Sequence, residues 1–120
     1  EETVNRLQDF KEGFSLVGDF EIVEGDLKKT LPRCIKENKI KQIAILYVDC
    51  NAYLPAIKGI EAAYPIMPEG GIICIDEHQV GGETKALIET AERHGLEVIE
   101  TGFDFVSGPN SNPSKYVVKK

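Results

Sequence analysis

The chain has 120 residues, 42% of them apolar and 28% charged, which suits one modest domain with a real core. A formal charge of −6 leaves no broad basic surface to neutralise phosphates, and this argues against nucleic acid or an anionic membrane as the main partner. No apolar run reaches the length of a membrane span, no signal-peptide pattern opens the chain, and the three cysteines (Cys34, Cys50, Cys74) form no C-x-x-C, so reduced thiols in a cytoplasmic setting are expected.

Val4, Leu7, Phe10 and Phe14 share one face and predict a first helix. A short strand is expected at 20–24, ending in Gly25-Asp26. Thr30-Leu31-Pro32 reads as the start of a second helix, with proline tolerated in its first turn and Leu31, Cys34 and Ile35 as the apolar stripe. Residues 43–48 are continuously apolar, the pattern of a strand buried on both faces. Tyr53, Ile57, Ile60 and Tyr64 predict a helix over 53–64, stopped by Pro65 and Pro68. Pro68-Glu69-Gly70-Gly71 turns into a strand at 72–76, in which Cys74 reads as plain core. After a Gly81-Gly82 loop, a helix over 84–94 turns Ala86, Leu87, Ile88 and Ala91 inward and ends on Gly95. Residues 96–100 alternate as a half-exposed strand. A loop or hairpin tip follows at 109–114, and 115–119 forms a last strand, antiparallel at or next to an edge. The basic pairs Lys28-Lys29 and Lys119-Lys120 read as solvated ends.

This order predicts a single α/β domain over residues 1–120. The sheet is expected to be mostly parallel, with helices on both faces and a terminal antiparallel hairpin. Two acidic positions stand out. Asp49 closes the 43–48 run, and Asp76-Glu77 closes the 72–76 run, one crossover helix later. The C-terminal ends of neighbouring parallel strands are where open α/β sheets place ligands. Three carboxylates meeting there call for a hard divalent cation with oxygen ligands. Asp49 could instead cap the following helix, and Asp76-Glu77 could be an ordinary polar loop. Asp26 could likewise be a cap. Cys50 could line a site, and His78 is either a solvated loop residue or a base or ligand beside it. His94 is expected to interact favourably with a helix C-terminus, and Phe103, Phe105 and Tyr116 to pack.

Three stretches, Gly25-Asp26-Leu27 … Thr30-Leu31-Pro32, Leu46-Tyr47-Val48-Asp49-Cys50-Asn51-Ala52-Tyr53 and Tyr64-Pro65 … Pro68-Glu69-Gly70-Gly71-Ile72-Ile73-Cys74-Ile75-Asp76-Glu77, carry a resemblance. Over roughly residues 20–90 the chain resembles the macrocin-type sugar O-methyltransferases, which are class I, S-adenosylmethionine-dependent, metal-requiring enzymes with a Rossmann-like fold. The resemblance implies that Asp49 binds the metal and acts as base on the acceptor hydroxyl, and that Asp76 and Glu77 complete the metal site. It implies that Asp26, flanked by Gly25 and Leu27, lies near the cofactor's adenine, and that Tyr53 is the family's tyrosine at a helix start. S-adenosylmethionine and Mg²⁺ or a similar ion are the implied cofactors, with a small hydroxylated acceptor as substrate. The chain departs from the pattern at Asn51, where a second aspartate is usual, at Glu77, where the acidic pair is usually Asp-Asp, and at His78, where an aromatic residue is common.

No glycine-rich cofactor loop of the G-x-G-x-x-G kind is present. The chain therefore resembles the C-terminal portion of such an enzyme, with the first βαβ unit absent, either a truncated chain or a natural remnant. Two functions follow: a metal-assisted O-methyltransferase, or a non-catalytic remnant acting as a binding or oligomerisation module. A phosphoacceptor receiver domain fits the length but not the order, because its acidic pair precedes its acceptor aspartate. Without the missing strands, residues 20–25 must pair with 43–48 or leave an open edge, and a homo-oligomer is expected.

Overall fold

A computed structural model describes residues 5–6, 20–76, 81–101 and 114–120. Asn5 and Arg6 are helical; the rest of the predicted first helix, Glu77, His78, Phe103, Phe105 and the 109–113 tip lie outside the described residues.

Helix α1 spans Leu27–Lys36 and begins three residues earlier than expected. Asp26 is the reason: its side chain accepts from the Lys28 amide at 3.0 Å and caps the helix. Pro32 thus falls in the helix interior, where its missing N–H leaves the carbonyl of Lys28, on an exposed flank, to water. Asn38, with φ of 58°, closes α1 in the left-handed conformation that asparagine tolerates. Strand β1 is Ile45–Val48, helix α2 is Tyr53–Ala63 with a 3-10 turn at Tyr64–Ile66, and strand β2 is Ile72–Ile75. Helix α3, Gly82–His94, ends on Gly95 in the left-handed conformation, as expected. Strand β3 is only Ile99–Glu100, and β4 is Lys115–Val118.

The sheet order is β1-β2-β4-β3. β1 and β2 pair in parallel, with Val48 opposite Ile75. β4 pairs antiparallel with both β2 and β3, so the sheet is mixed rather than mostly parallel. The cause is topological: β4 returns from β3 as a hairpin and inserts beside β2, reversing two of the three pairings. The hairpin itself, one strand in from the edge, is as expected.

Alternation explains the core. Leu46, Val48, Ile73, Ile75 and Val117 share one face, and that face packs on α2 and α3 through Ala56, Ile57, Ile60, Ala86, Leu87 and Ala91. α1 packs on α2, where Gly59 leaves room for the Leu27 side chain. The described helices therefore cover one face of the sheet, not both. On the other face Ile45 is 66% and Tyr47 58% exposed, and Cys74 is only half-buried. The continuous apolar run at 43–48 was not a strand buried on both sides, and Cys74 is not plain core. Ile88, expected inward, is exposed because α3's buried stripe runs through Thr84, Leu87 and Ala91 instead. Residues 20–24 form no strand, since no described strand lies beside them to complete a ladder. Lys119 is not a solvated end: its ammonium donates to the carbonyls of Tyr64 and Met67, both at 2.8 Å, and stands 4.5 Å over the Tyr64 ring.

Candidate functional site

The two described acidic positions meet at the tips of adjacent strands. The parallel register sets Val48 beside Ile75, and the Asp76 amide donates to the Val48 carbonyl at 3.1 Å as the last rung of the ladder. Asp49 and Asp76 follow directly, side by side at the carboxyl ends of β1 and β2. Asp49 is exposed and does not cap α2; that helix starts at an Ala52 N-cap with no side-chain bond. The capping explanation of Asp49 is therefore removed.

Tyr47 joins them, a residue that the sequence pattern had assigned to buried strand. Its interaction with the Asp76 carboxylate is the main cause of a pKa pushed up to about 12. Desolvation and the negative charges of Asp76 and Asp49 push the same way. Two carboxylates and a phenol that keeps its proton thus stand at the same end of neighbouring strands. Cys50, next in sequence, is half-buried; burial is the first cause of a thiol pKa above its ordinary value, so it is not an activated nucleophile.

A buried carboxylate beneath the loop was also missed. Glu83 is fully buried, and its Oε1 accepts from the amides of both Cys50 and Asn51, the latter at 2.6 Å. Its signal was available: Glu83 stands three and four residues before Ala86 and Leu87, on the same helical stripe. Reading Gly82 as loop hid it.

The other predicted positions are placed as follows. Gly25, Asp26 and Leu27 form the approach to α1, with Asp26 engaged in its cap and Leu27 packed against Gly59. The Tyr53 hydroxyl donates to Glu89 at 2.6 Å, tying α2 to α3. His94 stacks on Tyr64, ring centroids 3.9 Å apart. Glu77 and His78 lie outside the described residues. Among the described residues no group of three or more His, Cys, Asp or Glu side chains is arranged to hold a metal ion, and no helix is long and apolar enough to cross a membrane.

The family description of macrocin-O-methyltransferase (TylF) matches residues 2–101. The chain belongs to this family. Among solved structures, it is similar to the apo form of CalS11, a TDP-rhamnose 3'-O-methyltransferase of calicheamicin biosynthesis, at 27% identity and a TM-score of 0.62; the likeness covers 80% of this chain and 39% of that one. The O-methyltransferase NovP matches over 100% of this chain and 45% of its own, with a TM-score of 0.72; at 21% identity this likeness speaks to the fold. The chain thus spans less than half the length of these structures. No curated protein matches it.

Proposed function

We propose that this macrocin-family chain carries the acceptor-activating part of an S-adenosylmethionine-dependent, divalent-metal-assisted O-methyltransferase acting on a sugar or another small hydroxylated compound. The observation that carries this reading is the placement of Asp49 and Asp76 side by side at the carboxyl ends of two parallel strands. Family membership and the likeness to CalS11 support methyl transfer and a sugar-like acceptor.

In this reading Asp49 and Asp76, joined by Glu77, hold a cation of the Mg²⁺ kind. The donor set fits: Mg²⁺ takes one or two carboxylates from a protein and fills its other positions with water or substrate oxygens. When bound, the ion supplies Lewis acidity that lowers the acceptor hydroxyl's pKa, and S-adenosylmethionine supplies the methyl group. Asp49, exposed and uncommitted to a helix cap, takes the hydroxyl proton. The Tyr47 phenol beside Asp76 keeps its proton throughout the neutral range and adds no negative charge there. Gly25, Asp26 and Leu27 form the cofactor side at the start of α1.

Calorimetric titration with Mg²⁺ and then with S-adenosylmethionine tests this. Mg²⁺ binding that is lost in Asp49→Ala and Asp76→Ala is the expected result; wild-type affinity in either variant would remove the site.

One observation favours a second role alongside it. The outer edge of β1 has no described partner strand, and its unpaired backbone groups adjoin the uncovered face that carries Ile45 and Tyr47. We propose that a second copy of this chain pairs there, giving a homo-oligomer.

A further inference from the structure

Glu83 occupies a stripe position where an apolar side chain would pack at no electrostatic cost. It is fully buried, and its Oε2 has no hydrogen-bond partner among the described residues. Taking a carboxylate out of water is costly, so something must favour it. Two features do. Oε1 accepts from two consecutive amides, Cys50 and Asn51, and Glu83 lies in the first turn of α3, where the helix dipole favours negative charge. The approach is possible because of Gly82, where a Cβ would stand 2.2 Å from the Tyr53 amide nitrogen. Only a glycine lets the start of α3 close on the start of α2.

The two amides follow Asp49 directly, and Asn51, with φ of 53°, turns the chain from β1 into α2 in a left-handed conformation. The geometry assigns Glu83 the role of positioning residue for Asp49: its carboxylate fastens residues 50–51 from below and so fixes where the Asp49 carboxylate stands beside Asp76. This rests on the reading that Asp49 and Asp76 hold a divalent cation. A supporting group behind a metal ligand is worth about 10–100-fold in affinity.

The test is calorimetric titration of Mg²⁺ into the full chain as wild type, Glu83→Ala, Glu83→Gln and Lys119→Ala. The last removes hydrogen bonds at the far end of α2 and controls for general destabilisation. Glu83→Ala is expected to weaken Mg²⁺ binding about 10–100-fold. Glu83→Gln, whose amide oxygen still accepts from both N–H groups, stays near wild type, as does Lys119→Ala. In nitrogen-15 spectra the Cys50 and Asn51 amide protons move upfield in Glu83→Ala and less far in Glu83→Gln, whose neutral oxygen still accepts from them. Should Glu83→Ala not fold, Glu83→Asp, too short to span both amides, replaces it. Wild-type affinity in Glu83→Ala or Glu83→Asp overturns this inference alone. A wild-type chain that binds no Mg²⁺ overturns the cation reading, and the inference with it.

Discussion

Tyr47 reports on the proposed site more directly than either aspartate. Its phenol holds its proton more tightly in the folded chain than in the unfolded one, where it would titrate near pH 10. The raised folded value means that the Asp76 contact stabilises the fold below pH 10 and that this contribution is lost as the pH climbs through about 12. In metal-free buffer, ultraviolet titration should show a late-ionising tyrosine that disappears in Tyr47→Phe and moves back toward 10 in Asp76→Asn. An unchanged titration in Asp76→Asn would show that the two side chains do not meet. At this scale the sequence was legible wherever a charge interrupted an apolar pattern: Asp49 and Asp76 stood out as acids ending hydrophobic runs. Tyr47 was hidden because an aromatic residue inside such a run looks like core, and no described helix covers its face. Glu83 was hidden for the opposite reason, as a charge sitting within a helical stripe whose start had been placed too late.

Among the elements, glycine and lysine positions decide how α2 and α3 sit. A methyl group at Gly82 would collide with the α2 backbone rather than with a flexible side chain. Gly82→Ala is therefore expected to lower stability by about 1–3 kcal/mol in urea denaturation, by forcing the helix starts apart. Stability equal to wild type would mean that the two helices do not approach closely there. Lys119→Ala removes the ammonium donor from the Tyr64 and Met67 carbonyls, of which Tyr64 keeps the Met67 amide, and should cost about 1–3 kcal/mol by the same measurement. The helices themselves were plain in the 3.6-residue spacing of Ile57 and Ile60, and of Leu87 and Ala91. Their boundaries were less so: the Asp26 cap draws α1 forward past its proline, and tertiary contact makes Gly82 helical. Residues 20–24 carry a strand-like composition, yet a strand is a property of two segments, and no described segment lies alongside them.

For the whole molecule, the alternation of apolar segments was enough to reveal an α/β architecture and its final hairpin, while the insertion of β4 beside β2 was not, because pairing order is not written in local pattern. Among the described residues β1 is left as an edge, with Ile45 and Tyr47 exposed on the adjoining uncovered face. Light scattering should accordingly find a mass above 13.3 kDa, and Ile45→Lys should shift it toward the monomer; a strictly monomeric wild type would contradict the edge-pairing proposal. The site and this edge belong to the same strand, so Ile45→Lys also separates assembly from cation binding at the other end of β1. The most direct test of the central claim is paramagnetic broadening by substoichiometric Mn²⁺ in the nitrogen-15 spectrum of the full chain. The amides of Asp49, Cys50 and Asp76 should fade first, recover on addition of excess Mg²⁺, and stay sharp in Asp76→Asn. Broadening that begins elsewhere and leaves the tips of β1 and β2 sharp would contradict a shared cation site.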